Sequence, residues 1–429
     1  MRYKTVIYTR FIFLALSIIF LLPDDDLYAQ VNLLVQDGNY SLQKDGERFP
    51  IRGVGGSTNL ELLKHLGGNS IRTWGEDGET LQRILDQADG LGIAVCVGIW
   101  LEHERHGFNY GDEDAVSKQF KKSIEIVQRF KDHPAVLLWG IGNEMEGDGT
   151  DPLIWQAVNQ IAARIKQIDP LHPTMTVIDE LGRDSIKLKN VQKLCPDIEI
   201  VGINSYGGML TLAERYRQSG VRLPYIVTEH GPRGPWETEK TSWGSAIEDS
   251  NFEKAKLYKT GYQSTAIAHS ELCLGTYAFL WGHKQETTAT WFGMLLPDGS
   301  RLQAADTMSK LWSGKSVKNK CPIIKEIKLD SSSDLVSGDT ISATVETFDP
   351  ENDRLKIVWK LRLDSQTIGV GGDFQKSIAD IESAVVSDGH RANITIPNEG
   401  NQFRLFVYIY DGNGGADVAN VCFKTNLKN

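Results

Sequence analysis

The stretch AVLLWGIGNE, residues 135–144, is apolar from Ala135 to Ile141 and then ends in a glycine, an amide and a carboxylate. A strand that is apolar on both faces is typical of a parallel sheet covered by helices. Asn143 and Glu144 follow the apolar run directly, so both lie at the carboxyl end of the predicted strand. Glu144 alone is also compatible with a helix cap or a surface charge, so the rest of the chain has to decide its role.

Seven further apolar runs of this kind occur between residues 50 and 315. They cover residues 51–56, 69–75, 93–101, 174–180, 198–206, 224–231 and 274–282. Stretches with helical spacing of apolar residues lie between them, at 79–92, 115–131, 152–169 and 251–270. This alternation predicts a closed (β/α)8 barrel, a TIM barrel, over residues 51–315. The runner-up is an open doubly wound sheet, but GVGGSTN (53–59) lacks the GxGxxG turn expected after its first strand.

The pattern changes after the polar segment SGKSVKNKCP, residues 313–322, which we interpret as a linker. Within residues 316–429, apolar and polar residues alternate in short runs separated by Gly, Asn and Asp, which predicts a small immunoglobulin-like β-sandwich. The turns FDPENDRL (348–355) and YDGNGGADVAN (410–420) resemble acidic turns of PKD-like and cadherin-like domains. That resemblance implies Ca²⁺ binding by Asp349, Glu351, Asp353 and Asp411, but such residues more often form Asx turns. We therefore predict no metal site and no cofactor.

The amino terminus has the pattern of a secretory signal. A basic segment precedes the uncharged run FIFLALSIIFLL, residues 11–22, which is shorter than the ~20 residues of a membrane span. We expect cleavage near Ala29 and export to the periplasm, the cell surface or the medium, and an uncleaved anchor is the alternative. Residues 30–50 are expected to form a lead-in hairpin.

Composition limits the partners. The net charge of −10 argues against a nucleic-acid partner and leaves a neutral polymer possible. The five cysteines are an odd number, so at least one is free or pairs between chains, and Cys321 with Cys422 is the candidate disulfide. We expect a monomer with no membrane contact beyond the export signal.

Polar and aromatic residues follow the predicted barrel strands, where the active sites of (β/α)8 enzymes lie. In strand order, from the second to the eighth, they are Arg72 and Trp74; Trp100, Glu102, His103, His106, Asn109 and Tyr110; Asn143 and Glu144; Asp179 and Glu180; Asn204 and Tyr206; Glu229 and His230; and Trp281 and His283. Strands four and seven thus deliver Glu144 and Glu229 across one ring of side chains. Two carboxyl groups facing each other over a cleft are what glycoside cleavage requires.

The motifs WGIGNE and IVTEHG resemble the strand-four and strand-seven signatures of clan A retaining glycoside hydrolases, above all the barrel domain of glycoside hydrolase family 2. The resemblance covers about residues 50–315 and implies that Glu144 is the acid/base and Glu229 the nucleophile. The segments NSIRTW, GINSY and FLWG resemble further strands of that barrel. They imply that Arg72 lies beneath the nucleophile, that Tyr206 hydrogen-bonds it, and that Trp281 forms the floor of the reacting-sugar subsite.

The remaining site predictions concern substrate contacts. Asn143 is expected to hold the sugar 2-hydroxyl, and Glu229 is expected to be ionised with help from Arg72 and Tyr206. Additional substrate-binding candidates are Asn204, Trp100 and His103. For the tryptophans, packing in the core is the alternative role.

We expect the domain layout to differ from that of family 2, where large sugar-binding sandwiches precede the barrel. A barrel followed by one small sandwich is similar to compact bacterial endo-β-1,3-glucanases and to fungal glucanosyltransferases. The first hypothesis is therefore an exported retaining β-glycosidase acting on an oligo- or polysaccharide, with β-1,3-glucan favoured. The alternatives are a β-glucan transglycosylase using the same two acids, an exo-acting enzyme like β-galactosidase or β-glucuronidase, and a non-catalytic glycan-binding protein.

Overall fold

The computed structural model describes residues 30–330, 335–365 and 372–426. The predicted signal segment, residues 1–29, lies outside the described residues. Within the described part, no helix is both long enough and apolar enough to cross a membrane.

The lead-in segment forms a three-stranded antiparallel sheet of β1 (Val31–Gln36), β2 (Asn39–Lys44) and β3 (Glu47–Arg48). Val31 and Leu42 pack against Ile51 and Leu137, which belong to the barrel. The backbone N–H of Val31 also donates to the carbonyl of Leu171, just before a barrel strand begins. This sheet therefore closes the amino-terminal end of the barrel and leaves the opposite end open.

Eight parallel strands form the predicted closed barrel. They are β4 (Ile51–Gly55), β5 (Ser70–Arg72), β6 (Ala94–Ile99), β7 (Val136–Ile141), β8 (Thr174–Asp179), β9 (Ile200–Asn204), β10 (Tyr225–His230) and β11 (Cys273–Ala278). The neighbours around the ring are β10-β11-β4-β5-β6-β7-β8-β9, and each strand lies within a run predicted from the sequence or, for β11, starts one residue before it. The runner-up, an open doubly wound sheet, is wrong, because β11 pairs with β4 and closes the ring.

Helices surround the barrel. They are α1 (Leu60–His65), α2 (Gly78–Gly90), α3 (Glu113–Phe130), α4 (Pro152–Ile168), α5 (Ile186–Leu194), α6 (Met209–Ser219), α7 (Asn251–Tyr262) and α8 (Gln303–Ser313). Side-chain oxygens of Asp77, Asp112 and Asp151 accept backbone N–H hydrogen bonds at the starts of α2, α3 and α4. These caps satisfy donors that have no partner inside the helix, so they fix where each helix begins. On α3, Ile124, Val127 and Phe130 follow one another at intervals of three residues, and all three are buried against the barrel.

The carboxyl-terminal segment is the predicted antiparallel β-structure. One sheet has the order β12 (Ile323–Asp330), β13 (Thr340–Phe348), β16 (Arg391–Thr395) and β15 (Val385–Asp388). The other has the order β14 (Lys356–Leu363), β17 (Gln402–Tyr410) and β18 (Ala416–Lys424). The short strand β15 was not predicted, because its four residues are mostly exposed and lack an apolar alternation.

The cysteines of the described structure decide the disulfide prediction, and the acidic turns of the sandwich lie close together. All five cysteines are free thiols, so the candidate disulfide between Cys321 and Cys422 is wrong. Carboxylate oxygens of Asp349, Asp353 and Asp411 lie within 4.8 Å of one another. The Asp349 carboxylate accepts backbone N–H bonds from Glu351 and Asp353, which is the Asx-turn geometry.

The sandwich packs directly on the barrel. Leu296 and Leu302 of the barrel domain share an apolar cluster with Phe406, Tyr408, Ala416 and Val418. Around this cluster, the Arg404 guanidinium donates to the Ala246 carbonyl at 2.8 Å, and the Asn251 amide donates to Asp417 at 2.7 Å. Buried polar contacts of this kind fix the register between the two domains. Most of the predicted linker is exposed, but at its end Cys321 is buried and its N–H donates to Asp306.

Candidate active site

The end of β7 reverses direction abruptly, and this reversal presents Asn143 and Glu144 to the open end of the barrel. Gly142 has φ 74° and Glu144 has φ 53°, and both values lie in the left-handed region. Glycine adopts the φ of Gly142 without strain, and a Cβ there would meet the sulfur of Met145, so the position favours glycine. A left-handed glutamate is unusual, and such strain concentrates at functional sites. The backbone N–H of Glu144 donates to the Val177 carbonyl of β8, which holds the conformation.

The carboxylate of Glu229, at the end of β10, is surrounded by hydrogen-bond donors. Arg72 donates to its Oε1 at 2.8 Å, Trp74 Nε1 donates to the same oxygen at 2.9 Å, and the Tyr206 hydroxyl donates to Oε2 at 2.7 Å. Glu229 is 6% exposed. Three donors on one buried carboxylate stabilise its negative charge and fix its orientation.

Glu144 is connected to Glu229 through a continuous chain of hydrogen bonds. Arg72 uses its second nitrogen to donate to Asn143 Oδ1 at 2.6 Å. The Asn204 amide donates to the same oxygen at 3.1 Å and to Glu144 Oε1 at 2.7 Å. Because Asn143 Oδ1 accepts two hydrogen bonds, the amide orientation is fixed and its NH₂ group is left to donate elsewhere. The two acids are therefore held in one rigid network.

The environments of the two acids differ. Burial raises the pKa of Glu144 to about 7, and the negative charge of Glu229 adds to this effect, while the hydrogen bond from Asn204 opposes it. Burial also raises the pKa of Tyr206 well above its usual value, so its hydroxyl remains a donor. The carboxyl group of Glu144 can thus hold a proton near neutral pH, whereas the carboxylate of Glu229 lies among three hydrogen-bond donors. Such a difference in environment gives one carboxyl group the role of an acid and the other the role of a nucleophile.

A cavity of about 1060 Å³ opens above these residues at the carboxyl ends of the strands. Its lining includes both acids, and its other members are Trp74, Trp100, Arg105, His106, Asn143, Gly147, Asp179, Glu180, Asn204, Tyr206, Trp236, Glu237, Phe279, Leu280, Lys284, Glu286, Gly372, Asp373 and Phe374. This volume lies at the upper end of the range of about 300–1,000 Å³ that is typical of a pocket for one drug-sized ligand.

Six of the nine predicted site residues line this cavity, and three do not: Arg72, His103 and Trp281. Trp100 lines it, whereas His103 lies behind Trp100, stacked at 4.9 Å, with burial lowering its pKa to about 4. Arg72 lies beneath Glu229. Trp281 is 1% exposed and belongs to the barrel core, so the structure does not place it as a floor for the sugar. The aromatic residue of the eighth strand's end that lines the cavity is Phe279.

Several lining residues were missed by the sequence analysis. Trp74 was named among the strand-end residues, but no contact with Glu229 was predicted for it, and it donates to that carboxylate. Glu286 comes from the loop after β11; burial raises its pKa, and Lys284 lies 3.0 Å away. No strand motif surrounds Glu286, so the sequence offered no signal for it. Asp373 and Phe374 come from the sandwich, which no barrel pattern indicates.

The Tyr206 hydroxyl makes a hydrogen bond whose loss should be measurable. The substitution Tyr206→Phe removes one of three donors to Glu229, and a hydrogen bond to a charged group is worth about 1.5–3 kcal/mol. We expect kcat for an aryl β-glycoside to fall about 10- to 100-fold with little change in thermal stability. Tyr216→Phe is the matched control, since that hydroxyl donates to the Leu223 carbonyl on the outer layer. Equal effects of the two substitutions would contradict the assigned role of Tyr206.

A barrel whose strands four and seven present two connected carboxyl groups has the architecture of a glycoside hydrolase. Residues 57–263 match the family model for the TIM barrel domain of glycosyl hydrolases family 2. The chain therefore carries a barrel similar to that of family 2. The predicted similarity to compact endo-β-1,3-glucanases stays a prediction.

The relatives are larger proteins. The chain is 26% identical over 155 residues to human β-glucuronidase, which corresponds to 34% of this chain and 21% of the human protein. It is 24% identical over 232 residues to the β-glucuronidase of Paenibacillus borealis, covering 44% of this chain and 36% of that protein. The chain thus spans between about a fifth and about a third of these relatives' length.

Solved structures show the same fold at low identity. A family 2 β-galacturonidase from Eisenbergiella tayi superposes with a TM-score of 0.51 at 19% identity, covering 68% of this chain and 55% of that one. The β-glucuronidase of Ruminococcus gnavus gives 0.51 at 16% identity, with 66% and 53% covered. These likenesses support the barrel architecture.

Proposed function

We propose that this protein is a retaining β-glycoside hydrolase in which Glu144 is the acid/base and Glu229 the nucleophile. The observation that carries the proposal is the hydrogen-bond chain from Glu229 through Arg72, Asn143 and Asn204 to Glu144. It holds a carboxyl group whose pKa is about 7 in one network with a carboxylate facing three donors. Double displacement requires this division of roles.

In the first step, the protonated Glu144 donates its proton to the glycosidic oxygen while Glu229 attacks the anomeric carbon. The bond to the leaving group breaks, and a covalent glycosyl ester forms on Glu229. The ester removes the negative charge of Glu229. That charge helps to raise the pKa of Glu144, so the pKa falls and Glu144 becomes a base.

In the second step, Glu144 takes a proton from water, and the resulting nucleophile attacks the anomeric carbon. The bond to Glu229 breaks, and the sugar leaves with its original configuration. The Arg72, Trp74 and Tyr206 donors stabilise the carboxylate as it leaves. The NH₂ group of Asn143 is oriented to donate to a sugar hydroxyl during both steps.

The comparisons favour the exo-acting alternative over β-1,3-glucan as the substrate class. The similar proteins carry the names β-glucuronidase and β-galacturonidase, and none of those named above is a glucanase. We therefore place this enzyme among glycosidases that remove a terminal β-linked sugar. The apolar segment at residues 11–22 supports export of this activity.

The charges lining the cavity favour a neutral sugar over a uronic acid. The lining cations already face carboxylates: Arg105 lies 3.1 Å from Asp373, and Lys284 lies 3.0 Å from Glu286. A uronate would add a further negative charge to a cavity that already contains Glu229. Like charges in a partly buried site repel each other, so a neutral β-galactoside or β-glucoside fits better than a β-glucuronide.

The size of the cavity supports a second candidate, a β-glucan substrate. At about 1060 Å³ with exposed aromatic residues along it, the cavity has room for more than the reacting sugar. A polymer chain, or a sugar acceptor in transglycosylation, would use the same space.

A substrate panel tests these proposals. The panel contains p-nitrophenyl β-D-galactopyranoside, β-D-glucopyranoside and β-D-glucuronide, together with laminarin followed by reducing-end detection. We expect kcat/KM for a neutral aryl glycoside to exceed that for the glucuronide by at least about tenfold, which corresponds to about 1.4 kcal/mol. A preference for the glucuronide would contradict the charge argument. Turnover confined to laminarin would support the β-glucan candidate, and products longer than a defined oligosaccharide substrate would indicate transglycosylation.

A further inference from the structure

The sandwich reaches the mouth of the active-site cavity. Gly372, Asp373 and Phe374 lie in the connection between β14 and β15, and all three line the cavity beside barrel residues. We call residues 372–375 the rim segment. The packed interface between the domains fixes the sandwich on the barrel. The same interface therefore brings the rim segment to the mouth of the cavity.

One anchor of the rim segment is the loop after β6. The Asp373 carboxylate lies 3.1 Å from Arg105 Nη2 and 3.2 Å from His106 Nε2. Both partners line the cavity as well. This contact holds the rim segment against the side of the cavity next to β7, which carries Glu144.

A second anchor is the loop after β11. Lys284 Nζ donates to the Gly372 carbonyl at 2.7 Å. The Thr287 backbone N–H donates to Gln375 Oε1 at 2.8 Å. The rim segment is therefore fastened on both sides of Phe374 to two barrel loops.

Phe374 itself is 91% exposed, although its neighbours are anchored. A phenylalanine ring left in water forgoes the favourable free energy that burial of its apolar surface would give. An apolar ring that stays exposed to solvent, at a cavity that contains the two carboxyl groups of the proposed function, is suited to contact a ligand. Trp236, another aromatic residue that lines the cavity, is 49% exposed.

The direction in which the leaving group departs indicates which part of the substrate contacts Phe374, and this step rests on the proposed function. The nucleophile and the leaving group lie on opposite faces of the anomeric carbon. Glu229 is buried at the strand ends, so the leaving group projects from the reacting sugar toward the rim. Pyranose rings and aryl groups both present apolar faces that pack on an aromatic ring.

We propose that Phe374 is a stacking platform, supplied by the sandwich, for the sugar or aryl leaving group of the substrate. Asp373 is a positioning residue that holds the platform through Arg105 and His106. The specificity of the barrel for the leaving group therefore depends on the carboxyl-terminal domain.

The test compares leaving groups of different size on the same sugar. The probes are p-nitrophenyl β-D-galactopyranoside and β-D-galactosyl fluoride, together with the corresponding glucosyl pair. Fluoride is too small to reach Phe374. We expect Phe374→Ala to lower kcat/KM for the aryl glycoside about fivefold to tenfold more than for the fluoride, and Phe374→Trp to restore the ratio.

Three further variants separate stacking from a structural effect. Phe348→Ala removes a 45%-exposed ring on β13 outside the cavity lining, and it should leave both probes unchanged. Asp373→Ala should lower the aryl-to-fluoride ratio, and the double variant Asp373→Ala/Phe374→Ala should be no worse than Phe374→Ala alone, because the two residues act as one unit.

The outcomes distinguish this proposal from the proposed function. If the wild-type enzyme hydrolyses the fluoride and Phe374→Ala leaves the aryl-to-fluoride ratio unchanged, the platform is wrong and the glycosidase stands. If the wild-type enzyme hydrolyses neither probe nor any other glycoside of the substrate panel, the proposed function fails and the platform fails with it.

Discussion

Replacing Glu229 with glutamine should reduce kcat for an aryl β-glycoside by about 10⁴- to 10⁶-fold, the range seen when a covalent nucleophile is removed. The amide has the size of the carboxylate but cannot form the glycosyl ester. The substitution also removes the negative charge that accepts hydrogen bonds from Arg72, Trp74 and Tyr206. The amide NH₂ group is itself a donor, so it cannot accept from them. Initial rates and a pre-steady-state burst of nitrophenol measure the effect, and the burst should disappear.

Glu237→Gln is the matched control, because it makes the same chemical change in the same cavity. Glu237 accepts backbone N–H bonds from Gly207 and Gly234 and makes no contact with Glu229 among those observed. The control should keep its kcat within about tenfold of the wild type. Substantial turnover by Glu229→Gln would show that another group is the nucleophile.

The second large effect concerns Glu144 and pH. Since burial raises its pKa to about 7, Glu144 is protonated and competent as an acid below pH 7. We expect kcat/KM of the wild type to fall as the pH rises through about 7. Glu144→Ala should lower kcat/KM by about 10²- to 10⁴-fold on a poor alkyl leaving group, the usual contribution of general acid catalysis. The loss should be smaller on a p-nitrophenyl glycoside, whose leaving group needs less protonation, and the fall near pH 7 should vanish.

Glu180→Gln is the control for this pH profile. Glu180 also lines the cavity, but its carboxylate pairs with Arg215 at 2.7 Å and accepts a hydrogen bond from the Ser205 hydroxyl. The fall near pH 7 should persist in this variant. If it disappeared in Glu180→Gln and remained in Glu144→Ala, the assignment of the acid would be wrong.

The barrel could be predicted from the sequence because its strands are buried on both faces. Runs such as 135–144 are apolar throughout, and the alternation with amphipathic helices is regular. The short strand β15 could not be predicted, because a four-residue exposed edge strand depends on pairing with β16 rather than on its own pattern. The segment 313–322 was interpreted as a linker, but polar groups near its end, such as the Asn319 amide that donates to Asp411, have partners that no local pattern indicates.

The centre of the site could be predicted because it is built from residues at strand ends. Glu144, Asn143 and Glu229 follow apolar runs directly, so parallel strands bring them to one end of the barrel. Trp281 shows the limit of this reasoning. Its position after β11 is correct, but its side chain turns into the core, and side-chain direction depends on packing that one sequence does not reveal.

The outer part of the site could not be predicted, because it depends on contacts over long separations. Asp373 meets Arg105 across 268 positions in the sequence. Neither residue belongs to a recognisable motif, and their meeting requires the whole interface between sandwich and barrel. Substrate specificity is therefore less accessible from the sequence than the chemistry of bond cleavage.

The stereochemistry of the first product tests the central claim, double displacement by Glu144 and Glu229, most directly. Proton NMR of a p-nitrophenyl β-glycoside reaction, recorded before mutarotation, shows which anomer of the free sugar forms first. The two displacements each invert the anomeric carbon, so the β-anomer should appear first and the α-anomer should follow only by mutarotation. Initial release of the α-anomer would contradict the covalent intermediate on Glu229.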